Sequence, residues 1–475
     1  MDRRDFIRAG AVLGVAGTLG SRALPAWGHT TPPLRQESIL QGHPGDSGVD
    51  TVVVVMMENR SFDSYLGWLA QDKAYITNGR SRYGATFKVN GARDQQYPDP
   101  ATGQLVSTYL RSQTDPTNWR GCTLNDPGHG WTAGRAERDG GFLATGSGND
   151  ILALSYFNPR DLPVYRELAR RFTTCDQWHA SLLGPTFPNR EYLLSAQSGG
   201  HKSNDSEPGG FKWETIVDRL AAANVSVAEY YSDLPVFALW GSRLLPYLRP
   251  VTNFFADAAA GKLPQVCFVD PKFVGPERTD DHPHGDPRAA QRFVRDAFAA
   301  FANSPHWQRG LFILTYDEWG GFFDHVRPPL MNDNRASSVD TENFAQCGFR
   351  VPTILCSPRS LPGSVDHTLY DHTAVLRFLE WRFLGAPPRG HRFHGKTWWL
   401  TKRDRYSANL GDSLSRTYFD PDPGFDVNVK VAEPQDPCVG QSLAPQILSQ
   451  GDEDGFEDLY NSGYFDSVGA KTYVD

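Results

Sequence analysis

The sequence predicts an α/β fold: a mostly parallel central sheet with helices on both faces and long loop insertions. Three observations carry that expectation. First, apolar runs too uniform to have a wet face recur along the chain, as at Thr51 to Val55 and Gly310 to Tyr316. Second, helical patterns alternate with them. Pro287 to Asn303 places Ala290, Phe293, Val294, Ala297, Phe298 and Phe301 on one face and leads straight into the strand at Gly310. Third, polar residues crowd the carboxyl ends of two strands, at Glu58-Asn59 and Asp317-Glu318. Open α/β sheets bind ligands there.

At 475 residues, with 39% hydrophobic content and 28 Phe, 18 Tyr and 12 Trp, the chain has core material for one large domain or two medium ones. A formal charge of −8 argues against a nucleic-acid partner. No repeat or low-complexity tract stands out. At the amino terminus, Arg3-Arg4-Asp5-Phe6-Ile7 and the apolar stretch Ala9 to Leu19 form a twin-arginine export pattern, too short to span a bilayer. Ala26-Trp27-Gly28 is a plausible cleavage site. The expected organisation is an export signal over 1–28, a catalytic domain over 49–385 and a C-terminal extension over 386–475 packed on the core. The twin-arginine translocon is the expected export partner, and the periplasm or the exterior the expected location.

The six cysteines include no C-x-x-C pair, so a zinc-thiolate site is not expected. Cys267 and Cys356 sit in strand-like runs and read as core thiols, while Cys122 and Cys175 are the better disulfide candidates.

Along the chain, Thr51 to Val55 reads as the first strand, and Ser61 or Asp63 as the cap of the helix that follows it. Residues 78–149 show little periodicity and read as a long functional connection, within which Asn125 to Trp131 presents His129. Helices follow at Leu162 to Phe172 and at Lys212 to Ala223, with strands at Thr173 to Trp178, Val225 to Tyr231 and Leu263 to Val269. Gly184-Pro185-Thr186 forms a tight turn just before a helix running through Leu194. Locally such a Thr is an N-cap. It also stands where a nucleophile attacking phosphorus would profit from anion-binding amides. The loop Asp281-His282-Pro283-His284 brings two imidazoles and a carboxylate together. Gly320-Gly321, after Asp317-Glu318, would let the backbone approach a ligand closely. Phe349 to Ser357 reads as a further strand, and Asp371-His372-Thr373 opens a helix from Ala374 to Leu384. Beyond about 386 the pattern weakens into Pro-, Asp- and Gly-rich sequence, and the acidic stretches at 420–426 and 452–458 read as solvated surface with a weak calcium option.

Each of these features alone has an ordinary explanation; together they match metal-assisted phosphoryl transfer. Carboxylates and an amide are hard ligands for a divalent cation, a hydroxyl needs a metal or a base to become a nucleophile, and imidazoles can clamp phosphoryl oxygens or protonate a leaving alkoxide.

The motifs Met57-Glu58-Asn59-Arg60-Ser61-Phe62-Asp63, Asn125-Asp126-Pro127-Gly128-His129-Gly130-Trp131, Gly184-Pro185-Thr186-Phe187-Pro188-Asn189-Arg190, Asp281-His282-Pro283, Tyr316-Asp317-Glu318-Trp319-Gly320-Gly321-Phe322-Phe323-Asp324-His325-Val326, Gly348-Phe349-Arg350-Val351-Pro352 and Asp371-His372-Thr373 occur in that order. They resemble the bacterial phosphoesterase family of secreted phospholipases C and the respiratory-burst-inhibiting acid phosphatase. The resemblance implies an alkaline-phosphatase-like core and one divalent metal: calcium, magnesium or manganese on hardness grounds, with zinc and iron left open. It implies Glu58, Asn59, Asp317 and Glu318 as metal ligands and Thr186 as nucleophile, with His129, His282 and His372 serving the phosphoryl or leaving group. Two departures from the family pattern are Met57 and Trp319, the latter expected to reshape the substrate mouth. A third is His284, which replaces a proline and whose role is open. The leading expectation is a phospholipase C working through a phosphothreonyl intermediate on phospholipid or another phosphate ester, with transient contact to a membrane surface. A broad-specificity acid phosphatase is the alternative, and an inactive secreted binding protein the third reading.

Overall fold

The structure is a computed structural model that describes residues 37–111, 119–385, 387, 392–434 and 455–474. The export signal expected over 1–28 lies outside the described residues.

Eight strands form the central sheet. In chain order they are β1 Thr51–Met57, β2 Thr173–Cys175, β3 Val227–Tyr231, β4 Leu248–Pro250, β5 Val266–Val269, β6 Gly310–Tyr316, β7 Thr353–Cys356 and β8 Val365–Asp366. Their spatial order is β8-β2-β7-β6-β1-β5-β3-β4. The long apolar strands β1 and β6 lie side by side and parallel at the centre, and β7 alone runs against its two neighbours. Every residue of β1 and of β6 is buried, so both faces of the sheet are covered.

Eleven helices enter the argument. They are α1 Phe62–Leu66, α2 Lys73–Tyr83, α3 Trp131–Gly140, α4 Pro163–Arg171, α5 Thr186–Ser195, α6 Ile216–Ala222, α7 Val251–Ala259, α8 Pro287–Ala302, α9 Thr373–Leu379, α10 Lys402–Tyr406 and α11 Gly455–Asn461. One group packs α8 with α7 and α4; another packs α9 with α5 and α10. Among the described residues no helix is long and apolar enough to cross a membrane.

The strand and helix expectations hold with shifted ends, and the differences have local causes. Ser61 does cap α1, accepting from Ser64 N–H, but α1 tightens into a 3₁₀ segment after one turn. Residues 78–149 are not a structureless connection. Asp72 caps α2, which enters that stretch, and the hairpin Gln96–Pro98/Leu105–Ser107 and α3 lie within it. These elements are short and largely polar, so periodicity is faint. Cys122 is disulfide-bonded, as expected, but Cys175 is not. It is a buried free thiol in β2, enclosed between β7 and β8. Cys267 and Cys356 are free and buried, as read from the sequence. The C-terminal section joins the same core, contributing Leu410, Leu414, Phe425, Phe456 and Phe465.

Candidate active site

β1 and β6 pair in register, Met57 opposite Tyr316, so Glu58-Asn59 and Asp317-Glu318 leave the sheet in step. Asp317 N–H donates to the Met57 carbonyl at 3.0 Å, which continues the ladder one residue past the strands. Asn59 then turns into the left-handed region, with φ at 60°, and its N–H donates to Asp317 Oδ1 at 3.2 Å. Glu318 N–H donates to the same oxygen at 2.7 Å, and Gly320 N–H donates to Glu318 Oε2 at 2.7 Å. One oxygen of each carboxylate is therefore fixed by the backbone.

The opposite oxygens are not satisfied. Asn59 Oδ1, Asp317 Oδ2 and Glu318 Oε1 are buried without a hydrogen-bond partner. A buried polar atom left unpaired is costly, and three hard oxygens from adjacent strand ends are what a divalent cation coordinates. The residues fit a metal. Burial pushes the Glu58 and Glu318 carboxyls well above the usual range, and the nearby charge of Asp317 pushes both further. Burial likewise pushes Asp317 up to about 6, against the pull of Arg190. A bound dication would reverse that penalty.

Arg190 links this cluster to α5. Its Nη2 stands 3.2 Å from Glu58 Oε1, its Nη1 3.4 Å from Asp270 Oδ1 and its Nε 3.5 Å from Asp317 Oδ2. Glu58 and Asp317 thus both face this guanidinium, which hydrogen-bonds Glu58 but not Asp317. Thr186 is the first residue of α5, one helical turn before Arg190 and about 6 Å along the axis. It is buried. The N-cap position is held by Pro185, whose side chain makes no capping bond, so Thr186 is not an N-cap. The turn before it is held by Asn189, whose Oδ1 accepts from Leu182 N–H at 2.8 Å and whose Nδ2 donates to the Gly184 and Pro185 carbonyls. The cradle of amides expected at the helix start is thinner than the sequence suggests. Phe187 N–H is taken by Asn204 Oδ1 at 2.8 Å, and Pro188 has no N–H.

The histidines arrive from three loops. His129 Nδ1 lies 2.9 Å from the Pro127 carbonyl, so that nitrogen carries the proton, and Nε2 accepts from Asn59 Nδ2 at 3.3 Å. This bond turns Asn59 Oδ1 the other way. His129 Nε2 is also 4.0 Å from Glu318 Oε1, and its ring centroid is 6.0 Å from that of His282. His282 sits between the Pro283 carbonyl at Nδ1 and Asp126 Oδ2, 3.5 Å from Nε2. Both ring nitrogens thus face an acceptor oxygen. His372 Nε2 donates to the Asp317 carbonyl at 2.6 Å, and its Nδ1 accepts from Trp178 Nε1 at 3.3 Å. Burial pulls its pKa down to about 4, so the ring is neutral.

Six of the eight residues named from the sequence are thus joined to one another by contacts of 6.0 Å or less, and Glu58 joins them through Arg190. The eighth, Thr186, is mounted on the helix that carries Arg190 into the same cluster.

The phosphoesterase family profile matches residues 49–384. The chain belongs to that family. It is a hydrolase acting on phosphate ester bonds. It is 30% identical over 422 residues to non-specific phospholipase C6 of Arabidopsis thaliana, covering 80% of this chain and 75% of that one. It is 29% identical to phospholipase C B of Mycobacterium tuberculosis, covering 82% of each. A solved alkaline phosphatase superfamily protein from Vibrio parahaemolyticus is 13% identical, with a TM-score of 0.35, covering 79% of this chain and 91% of that one.

Two expectations about this phosphoesterase change with the structure, and one open role is filled. Trp319 does not shape a mouth: it is fully buried, packs on Phe349 and donates to Glu137 Oε2 of α3 at 2.7 Å. Gly320 and Gly321 admit protein backbone rather than a ligand. A Cβ on Gly320 would come within 2.3 Å of the Asn59 carbonyl, and one on Gly321 within 2.7 Å of the Gly128 carbonyl. His284, whose role was open, pins a loop: its Nε2 bonds the Leu124 carbonyl at 2.9 Å, and its own carbonyl accepts from Arg120.

Asp281 accepts from the hydroxyls of Tyr65 and Tyr316, each at 2.7 Å, and so anchors the loop that aims His282. A further cluster escaped the sequence reading. Asp63, Asp324 and His325 offer ligand atoms within 4.8 Å of one another and could hold a metal. Arg350 already lies 3.1 Å from Asp63 and 2.9 Å from Asp324, supplying a cation from the chain itself. Only the in-order carboxylate motifs pointed to metal chemistry; nothing local flagged Arg190 as their bridge.

Proposed function

We propose that this phosphoesterase is a metal-dependent phospholipase C that uses Thr186 as its nucleophile and Glu58, Asn59, Asp317 and Glu318 to hold one divalent cation. The observation that carries the reading is the set of buried oxygens without a hydrogen bond on Asn59, Asp317 and Glu318, linked by Arg190 to the helix that begins at Thr186. The names of the relatives favour a phosphodiester of phospholipid over a monoester.

When bound, the cation supplies Lewis-acid charge for the phosphoryl oxygens and favours the ionised Thr186 hydroxyl. Thr186 Oγ1 attacks phosphorus, a new O–P bond forms, and the bond from phosphorus to the glycerol oxygen breaks. His282, whose Nε2 faces Asp126, gives its proton to the departing alkoxide. His129, fixed at Nδ1 by Pro127, aligns Asn59. Water then cleaves the phosphothreonine, and His282 recovers its proton. His372 reaches a phosphoryl oxygen only by releasing the Asp317 carbonyl.

The test is the purified protein on phosphatidylcholine and on p-nitrophenyl phosphate, with and without chelator. Phosphorylcholine release that the chelator abolishes supports the proposal. Phosphate release from the monoester alone marks the acid-phosphatase alternative, and silence on both marks an inactive binder. Thr186→Ala should lose several orders of magnitude in turnover with an unchanged thermal melt; turnover within tenfold of wild type removes Thr186 from its role.

A further inference from the structure

We propose that Phe456, on the C-terminal helix α11, is a positioning residue of the catalytic centre: it holds Arg190 and the start of α5, and thereby prepares the carboxylates for the cation. The inference rests on the metal-site reading above and extends it to a segment outside the family match, which ends at residue 384.

Arg190 has a demanding place. It approaches three carboxylates, yet its Nε makes no hydrogen bond. Its terminal nitrogens bond Asp270, Glu58 and the Met56 carbonyl, but no hydrogen bond holds the Nε edge beside Asp317, where packing adds to the restraint. That packing is aromatic. Phe456 stacks on Phe273, with centroids 3.9 Å apart and planes at 11°. The guanidinium carbon of Arg190 lies 4.8 Å from the Phe273 centroid and 5.5 Å from that of Phe456, within cation–π range of both. Phe456 also meets Phe187, the residue after Thr186, edge to face at 4.9 Å.

The preceding residue makes a second contact with the same helix start. Asn204 Oδ1 accepts the Phe187 amide. A Cβ on Gly455 would stand 2.6 Å from Asn204 Nδ2, so α11 approaches this closely only because residue 455 has no side chain. The segment is anchored independently of these contacts. Tyr464 hydroxyl donates to the Ala238 and Leu239 carbonyls, and Phe465 and Ala470 are buried. Two adjacent residues of α11 thus bear on the two groups that orient α5, one at Phe187 and Arg190, the other at Asn204.

A residue that merely fills the core would affect stability alone. A positioning residue also affects metal affinity, because carboxylates released from Arg190 repel one another and must be gathered again by the cation. The experiment uses the full chain, stripped with chelator and titrated by calorimetry with Mn²⁺, Ca²⁺ or Zn²⁺ alone, with kcat and KM measured in parallel. Phe456→Leu should weaken the metal that supports turnover at least tenfold, and lower kcat with KM within twofold. Phe465→Leu, in the same segment but away from Arg190, should lower the melting temperature comparably and leave affinity within threefold. Affinity of Phe456→Leu within threefold of wild type, or an equal loss in Phe465→Leu, overturns the proposal. Gly455→Ala covers the case in which Phe456→Leu does not fold: it should weaken the metal threefold or more, and unchanged affinity again overturns the proposal. Asp317→Asn separates the two readings, since unaltered metal binding in that variant would overturn the metal site itself.

Discussion

Glu191 follows Arg190 in α5, and its carboxyl is buried with neither oxygen hydrogen-bonded. His201 Nδ1 stands 3.9 Å away, too far to donate. Burial pushes this carboxyl up to about 7, with His201 pulling the other way. The folded protein therefore keeps a proton that the unfolded chain releases near pH 4.5. The resulting stabilisation is full below that value and is lost as pH rises through about 7. A tenfold change in protonation is worth about 1.4 kcal/mol, so the whole interval is worth at most roughly 3.5 kcal/mol. Wild-type melting temperature should fall between pH 5 and pH 8, and Glu191→Gln should flatten that fall; an identical slope in the variant would remove Glu191 as its source. At this scale the sequence was legible where position follows the strands: the carboxylates and the amide it placed at two strand ends lie together there, linked through Asn59 and Asp317. It was not legible at Glu191 or Arg190, whose burial and partners come from other elements.

At the scale of elements, the turn after β6 shows why spacing alone misleads. Gly320 has φ at 61° and its Cα lies against the Asn59 carbonyl. Gly320→Ala adds a left-handed alanine, costing about 1–2 kcal/mol, and a Cβ within 2.3 Å of a backbone oxygen, which must then move. Stability should drop by roughly 2–4 kcal/mol, and metal affinity should drop with it, because the displaced residue is an expected ligand. Calorimetric metal titration beside a denaturant melt checks both. Gly-Gly after a strand was readable as a demand for close approach; that the approaching group is Asn59 and the Pro127-Gly128 loop was not. Similarly, Thr186 at a helix start was readable, whereas Asn204 taking the next amide required a loop to fold back onto α5.

For the whole molecule, the core of the family-matching span extends into residues beyond it. Leu410, Leu414, Phe425, Phe456 and Phe465 are buried in the same core as the central sheet. Arg403 reaches back to Asp371, beside His372, at 2.9 Å. Five such side chains contribute on the order of 10 kcal/mol by burial, comparable with the roughly 5–15 kcal/mol that keeps a typical protein folded. A chain ending at Gly385 should therefore be insoluble or melt without a cooperative transition, and a sharp melt close to that of the full chain would refute this.

The sequence by itself determined the α/β class, the two central strands and the ordered motifs of a phosphoesterase, because strand burial, helix periodicity and ordered motifs are local properties of the chain. Only the tertiary structure decided that β1 and β6 lie in register, that β7 runs against them, that Trp319 faces inward, and that the C-terminal helix rests on Arg190. Those outcomes depend on which distant surfaces bury one another, and a one-dimensional pattern records what each residue needs but not which neighbour provides it.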